Sequence, residues 1–289
     1  MDTLTHLLVG HAMGAAASTV AGPFGAAAYW GVLIGNSLPD IDVPLSLLVR
    51  RDIKMHRTVT HTIPGAIALA ALASLVMHPL MLSAPIGIFF LWTLLGSLIH
   101  MGMDCLNLFG ARPFWPLSGR SIDLGILHIL DPILLLVLGV PSIAVAVGRG
   151  SHQFLALSFL LIWPYVFYRI LKANKLYRKL IADGSLRARV IPWFSSWRYV
   201  FETAGGIEFG LWSGGARRSL ANYPKTDDSP LVRASLGNPL VAAFLKTAEY
   251  PYALVREDSY GHEVVWGDAL RQLRADFRPL RIRIDLETA

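Results

Sequence analysis

The feature that most constrains this chain is a series of long apolar runs confined to its first 171 residues. Candidate segments fall at about 3–21, 25–38, 63–83, 85–104, 126–147 and 153–171. A helix needs about 20 apolar residues to cross a bilayer, and most of these runs approach that length. The second is short and is stopped by Pro39, but Gly22-Pro23 makes a turn that would fold it back on the first. Both carry small residues four apart, Gly10/Gly14 and Gly31/Gly35, a spacing that lets helix backbones approach closely in lipid. Only 16% of residues are charged and the mean hydropathy is +0.48, against about 25% charged in soluble domains. The fold class expected is mainly α: a polytopic helical membrane bundle of about six helices with a small C-terminal α+β soluble domain. The boundary is placed between 1–171 and 172–289.

Threaded up and down, the six segments put the N-terminus, loop 39–62, loop 105–125 and everything after 171 on one side. That side carries Arg50, Arg51, Lys54, Arg57, Arg112, Arg120 and the lysines beyond residue 171, whereas the other has only Arg149. The positive-inside rule then predicts an inner (cytoplasmic) membrane protein with both termini in the cytoplasm. The start, "MDTLTH", has an acid and no basic region, so no cleaved leader is expected. The net charge of +6 is accounted for by these membrane-facing loops and needs no nucleic-acid partner. A protein partner for the tail is an open alternative.

After residue 171, "KANKLYRKLIADG" reads as a basic helix suited to an anionic lipid surface. "WRYVFETAGGIEFGLW" reads as a hairpin turning at Gly205-Gly206. "NPLVAAFLKTAEY" reads as a helix, and "YALVRED", "HEVVW" and "LRIRIDL" as strands. "HEVVW" lacks the second histidine of a metalloprotease box. The single cysteine, Cys105, excludes an internal disulfide and a thiolate zinc cluster.

The polar residues inside the apolar half are harder to place. "NSLPDIDVPLSLLVRRDIKMHRTVTH" holds Asp40, Asp42, His56 and His61. His100 and Asp104 stand four apart at the end of the fourth segment, on one helix face. In the threading, His6, Asp40, Asp42, His56, His61, His100, Asp104, His128 and Asp131 all map to one end of the bundle; His78 and His152 map to the other. Ionisable groups in membrane segments are costly and so mark function by default. Imidazole and carboxylate donors without thiolate suit zinc, or manganese or magnesium, as one ion or two. Plainer roles stand beside this. Asp131 before Pro132 is also an ordinary helix cap, His128 and His6 suit an interface, and His100 with Asp104 could be a hydrogen-bonded pair. His11 reads as a packing residue and Asp2 as a first-turn acid. Arg57, Arg112 and Arg120 read as orientation charges that could also hold a phosphate.

The pieces "MDTLTH", "GNSLPDID", "HRTVTHT", "HMGMDCLNLFG" and the Asp-Pro at 131–132 together resemble the inner-membrane metal-dependent hydrolases of the YdjM-like family. The one departure is Thr58, where a small residue is expected. The resemblance implies His6, Asp40, Asp42, His56, His61, His100 and Asp104 as metal ligands. It also implies a distant similarity to zinc-dependent phospholipase C and P1 nuclease. The activity expected is hydrolysis of a phosphoester or phospholipid headgroup at the cytoplasmic leaflet, with Asp40 and Asp42 as catalytic carboxylates and Arg57 steadying the phosphate. The alternative is a metal-binding transporter or regulatory scaffold without catalysis.

Overall fold

The computed structural model describes residues 1–42, 59–80, 84–224, 229–258, 261–271 and 279–284. His56, Arg57 and Thr58 lie outside the described residues. The chain divides into two compact units, Met1–Leu171 and Lys172–Ala289.

The first unit is helical: α1 (Thr3–Val20), α2 (Gly25–Ser37), α3 (Ile63–Met77), α4 (Ile86–Cys105), α5 (Pro132–Ala146) and the start of α6 (His152–Ala182). Among the described residues, three stretches are long and apolar enough to cross a membrane: Ile63–Leu80, Ile86–Cys105 and the apolar part of His152–Ala182. The expected six crossings are therefore not all of that kind. α1 mixes two histidines and several small polar residues into its 18 positions, and α2 has only 13 residues. The expected 126–147 segment shortens to α5 because Pro132 starts that helix. The Asp131 carboxylate caps it by accepting from Ile133 N and Leu134 N, at 3.1 and 3.3 Å. Residues 124–131 instead form an extended strap held to the end of α4, where Ile126 N and Leu127 N donate to Leu106 O.

The burial pattern is inverted relative to a soluble protein. α3 buries Gly65, Ala66, Ala70 and Ser74 and exposes Leu72, Leu75 and Val76. A helix in water would hide the leucines; one in lipid gains nothing by doing so and packs its small and polar residues inward. Close approach follows from that choice. A Cβ on Gly35 would stand 2.0 Å from Thr93 O, and one on Gly96 would stand 2.4 Å from Val32 O. Only glycine lets α2 and α4 touch backbone to backbone. Of the two small-residue pairs, Gly10/Gly14 faces α2, whereas Gly31/Gly35 faces α4 rather than α1.

In the second unit, the basic segment is not a separate surface helix: it continues α6 without a break to Ala182. Four antiparallel strands follow as a meander, β1 (Arg187–Trp193), β2 (Ser196–Thr203), β3 (Gly206–Ser213) and β4 (Ala216–Pro224). Leu176 and Leu180 pack on Trp197, Tyr199 and Phe201. Thr203 pairs with Gly206, so the β2–β3 hairpin turns at Ala204-Gly205, one residue before the expected position. Another two-residue turn at Gly214-Gly215, with φ of +58° and +84°, joins β3 to β4. Two short helices, α7 (Pro230–Ser235) and α8 (Pro239–Leu245), pack on a sheet of β5 (Pro251–Asp258), β6 (Gly261–Asp268) and β7 (Leu280–Ile284).

Candidate metal centre

Four separate pieces of chain deliver the polar residues of the first unit to one place. Asp2 caps α1 by accepting from Thr5 N at 2.9 Å, and His6 follows in the next turn. Asp40 sits in the short 3₁₀ turn Leu38–Ile41 that Pro39 imposes at the end of α2. His61 precedes Thr62, whose hydroxyl caps α3 by accepting from Gly65 N. His100 and Asp104 lie four apart near the end of α4. None of these five is more than 5% exposed.

Their ligand atoms form two mutually close sets that share His100: Asp40, His61 and His100, and His6, His100 and Asp104. His61 Nε2 stands 3.2 Å from His100 Nε2, 3.5 Å from Asp40 Oδ1 and 3.4 Å from Asp104 Oδ2. His100 Nε2 stands 3.6 Å from Asp40 Oδ1 and 3.7 Å from Asp104 Oδ2. Donors around one zinc ion at bonds of about 2.0–2.1 Å are separated by about 3.3–3.4 Å in tetrahedral geometry, so these spacings suit a small divalent ion. The other oxygen of Asp104 faces elsewhere. Oδ1 is 3.3 Å from His6 Nε2, accepts from Asn107 Nδ2 at 3.0 Å and contacts the Met1 amino group. One carboxylate thus presents its two oxygens to two different imidazole sets.

The charge balance points the same way. Two buried carboxylates with neutral imidazoles leave about two negative charges in a low-dielectric pocket, which is costly without a compensating cation. The Met1 ammonium beside Asp104 Oδ1 offsets one of these charges, and the Asp40 carboxylate leaves a share for a bound cation. Burial alone would raise the Asp40 carboxyl, but the hydrogen bond with His61 and the electrostatic pull of the neighbouring His100 and His6 rings hold it well below the usual carboxylate range.

The imidazoles are oriented from behind. His100 Nδ1 donates to Asn36 O at 2.8 Å, leaving the Nε2 lone pair for the site. The His6 ring stacks on His100 with centroids 3.6 Å apart. Thr60 Oγ1 lies 2.9 Å from Asp42 Oδ2 and 3.0 Å from His61 Nδ1. Asp42 itself is 3.8 Å from His61 Nδ1, on the side of the ring away from His100, and outside both close sets.

Of the residues singled out in the sequence, the structure brings together His6, Asp40, His61, His100 and Asp104, with Asp42 behind His61. Asp131 is engaged elsewhere: it caps α5 and accepts from the Tyr165 hydroxyl at 2.8 and 2.9 Å. His128 Nδ1 is bound to Leu130 O. The sequence reading missed Asn36, Thr60 and Asn107. The Asn36 side chain donates to His6 O, tying α1 to α2 beside the site. Asn107 Oδ1 accepts from Phe109 N and Gly110 N, fixing the turn that aims its own amide at Asp104. A buried asparagine at the end of an apolar helix was the available signal for Asn36.

Comparison with known proteins adds the family. The chain is 29% identical over 262 residues to the uncharacterized protein YfhP of Bacillus subtilis (strain 168), covering 85% of this chain and 79% of that protein. No solved structure matches it. The family model described as YdjM inner membrane protein matches residues 1–176, a stretch that contains all five clustered donors, and the chain belongs to that family.

Proposed function

We propose that this protein is a membrane-bound, metal-dependent hydrolase of a phosphoester, with a phospholipid headgroup as the favoured substrate class. The observation that carries the reading is Asp104, whose two oxygens face two imidazole sets that meet at His100. A divalent ion held beside Asp104 Oδ2, His61 and His100 would suit displacement at phosphorus by an activated water. The likeness in kind to zinc-dependent phospholipase C and P1 nuclease, helical enzymes with clustered histidine and aspartate ligands, belongs to this proposal.

A bound divalent ion would supply Lewis acidity and bring the pKa of water towards about 7. The chain's own part is positional. Asp40, His61, His100, Asp104 and His6 would hold the metal, and Asn36 O keeps His100 in the tautomer that presents Nε2. Thr60 links Asp42 to His61 Nδ1, so Asp42 steadies that imidazole and any proton held on it. Burial of the donors excludes bulk water. All five lie at helix ends, which suits a substrate approaching from the membrane surface better than one crossing the midplane. The loop after Asn107 exposes Phe114, Trp115 and Leu117, and it is joined to the start of α3 by Ile63 N donating to Pro113 O at 2.9 Å. Such a loop suits a lipid interface.

Elemental analysis of the purified full-length protein, with turnover measured on a panel of phosphomonoesters, phosphodiesters and short-chain phospholipids, tests the reading. Bound metal and turnover that are both lost in Asp104→Asn and His61→Gln support it. Stoichiometric metal with no turnover on any member overturns the hydrolase and favours a metal-binding transporter or scaffold.

A further inference from the structure

A small cavity with a cationic side lies wholly within the second unit. It has a volume of about 260 Å³ and is lined on one side by Lys172, Lys175 and Lys179 of α6. The spacing of three and four residues puts the lysines on one helix face. Trp197 and Trp212 line the cavity across from them, and the Gly214-Gly215 turn and the Ser195 and Ser213 hydroxyls complete the rim. Lys179 Nζ stands 5.3 Å from the Trp212 ring. Among the described residues, neither Lys175 nor Lys179 has an ion pair.

Lys175 and Lys179 stand four apart on the exposed side of α6 at the cavity mouth, and two neighbouring ammonium groups without an ion pair attract an anion. The volume decides the size of that anion: it falls below the 300–1,000 Å³ or so of drug-sized ligand sites. An acyl chain does not fit, whereas a phosphate with a few polar atoms does. Hydroxyls on the rim can donate to phosphate oxygens, and the tryptophans offer a flat apolar wall to the carbon atoms next to them. The position along the helix gives the source. α6 leaves its apolar stretch at Leu171, and Lys172 to Lys179 span roughly 10 Å of axis at 1.5 Å per residue. The headgroup layer on each side of a bilayer is of similar depth, about 5–8 Å.

We propose that this pocket binds a phosphate group of the kind carried by anionic phospholipid headgroups. The site is distinct from the metal centre and stands whether or not that centre hydrolyses anything. It makes the second unit a reader of membrane charge, beyond the diffuse attraction of a basic helix.

The test uses the full-length protein in an uncharged detergent with a chelator present, so that phosphate cannot be held by metal. Calorimetric titrations compare dioctanoyl phosphatidylglycerol, dioctanoyl phosphatidylcholine, glycerol 3-phosphate and inorganic phosphate. The expected result is saturable binding of phosphatidylglycerol, at least about tenfold tighter than phosphatidylcholine. Lys175→Gln with Lys179→Gln should weaken it on the order of 10–30-fold. Lys246→Gln with Arg256→Gln, which removes the same charge elsewhere, should leave it unchanged. Glycerol 3-phosphate or inorganic phosphate binding as tightly as the lipid, and lost in the Lys175/Lys179 variant, keeps the pocket and assigns it to a soluble phosphate. Equal affinity for the two lipids, or a Lys175/Lys179 variant that binds like the parent, overturns it.

Discussion

Adding one methyl group at Gly35 should damage both the fold and the metal centre, because the same contact builds both. The new Cβ would lie 2.0 Å from Thr93 O and 2.8 Å from the Thr93 carbonyl carbon. A carbon–oxygen contact is comfortable at roughly 3.3 Å or more, so α2 and α4 must separate by about 1.3 Å. Two bonds span that seam: Ser97 Oγ donates to Gly35 O at 2.9 Å and His100 Nδ1 donates to Asn36 O at 2.8 Å. Stretched by that amount, neither survives. Losing them costs about 0.5–1.5 kcal/mol each, and overpacking adds about 1–3. The better helix propensity of alanine returns about 1, so Gly35→Ala should destabilise by about 1–5 kcal/mol. His100 also loses the carbonyl that orients it, which should weaken metal binding about 10–100-fold. Gly102→Ala on the same helix is the control, since a Cβ there meets nothing within 4 Å; it should be neutral or mildly stabilising. The assay is a circular dichroism melt in detergent followed by calorimetric zinc titration. A Gly35→Ala protein that melts with the parent and titrates with zinc as the parent does would refute the reasoning.

Asp104→Asn should abolish most metal binding, measured by elemental analysis, whereas Asp42→Asn should keep the stoichiometry and lower affinity about 10–100-fold. His78→Gln, from the other end of the bundle, should change neither. In the second unit, burial and the hydrogen bond to Glu208 push the Tyr199 hydroxyl up. The unfolded chain therefore loses that proton first as pH rises, and stability should fall above about pH 10; melts across pH 8–12 should show the fall, lessened in Tyr199→Phe. A reporter fused after residue 289 that is active only outside the cytoplasm should stay silent; strong activity would reverse the expected orientation.

Much of the architecture follows from local chemistry. Apolar run length marks where helices lie, and Asp131-Pro132 and Thr62 with Pro64 set their starts through caps that need only neighbouring residues. The β2–β3 hairpin, expected at Gly205-Gly206 and found one residue earlier, and strands β5 to β7 follow from turn residues and alternation. Clustering of His6, Asp40, His61, His100 and Asp104 was legible as well, because every one falls at a helix end assigned to the same face of the membrane. What sequence could not supply is anything that depends on two helices meeting. Which partner the Gly31/Gly35 stripe faces is fixed by packing against α4, since small residues permit close approach without choosing the neighbour. The length of an apolar run does not reveal that 124–131 is a strap, because its hydrogen bonds go to the end of α4 rather than to itself. Above all, the division of labour among the aspartates is tertiary. Asp40 and Asp42 are alike in sequence. The turn at Pro39 brings Asp40 to His61 Nε2 and His100, whereas Asp42 meets the other nitrogen of the His61 ring. A difference of a few ångströms in where a chain turns decides whether a carboxylate sits among the donors or behind one of them.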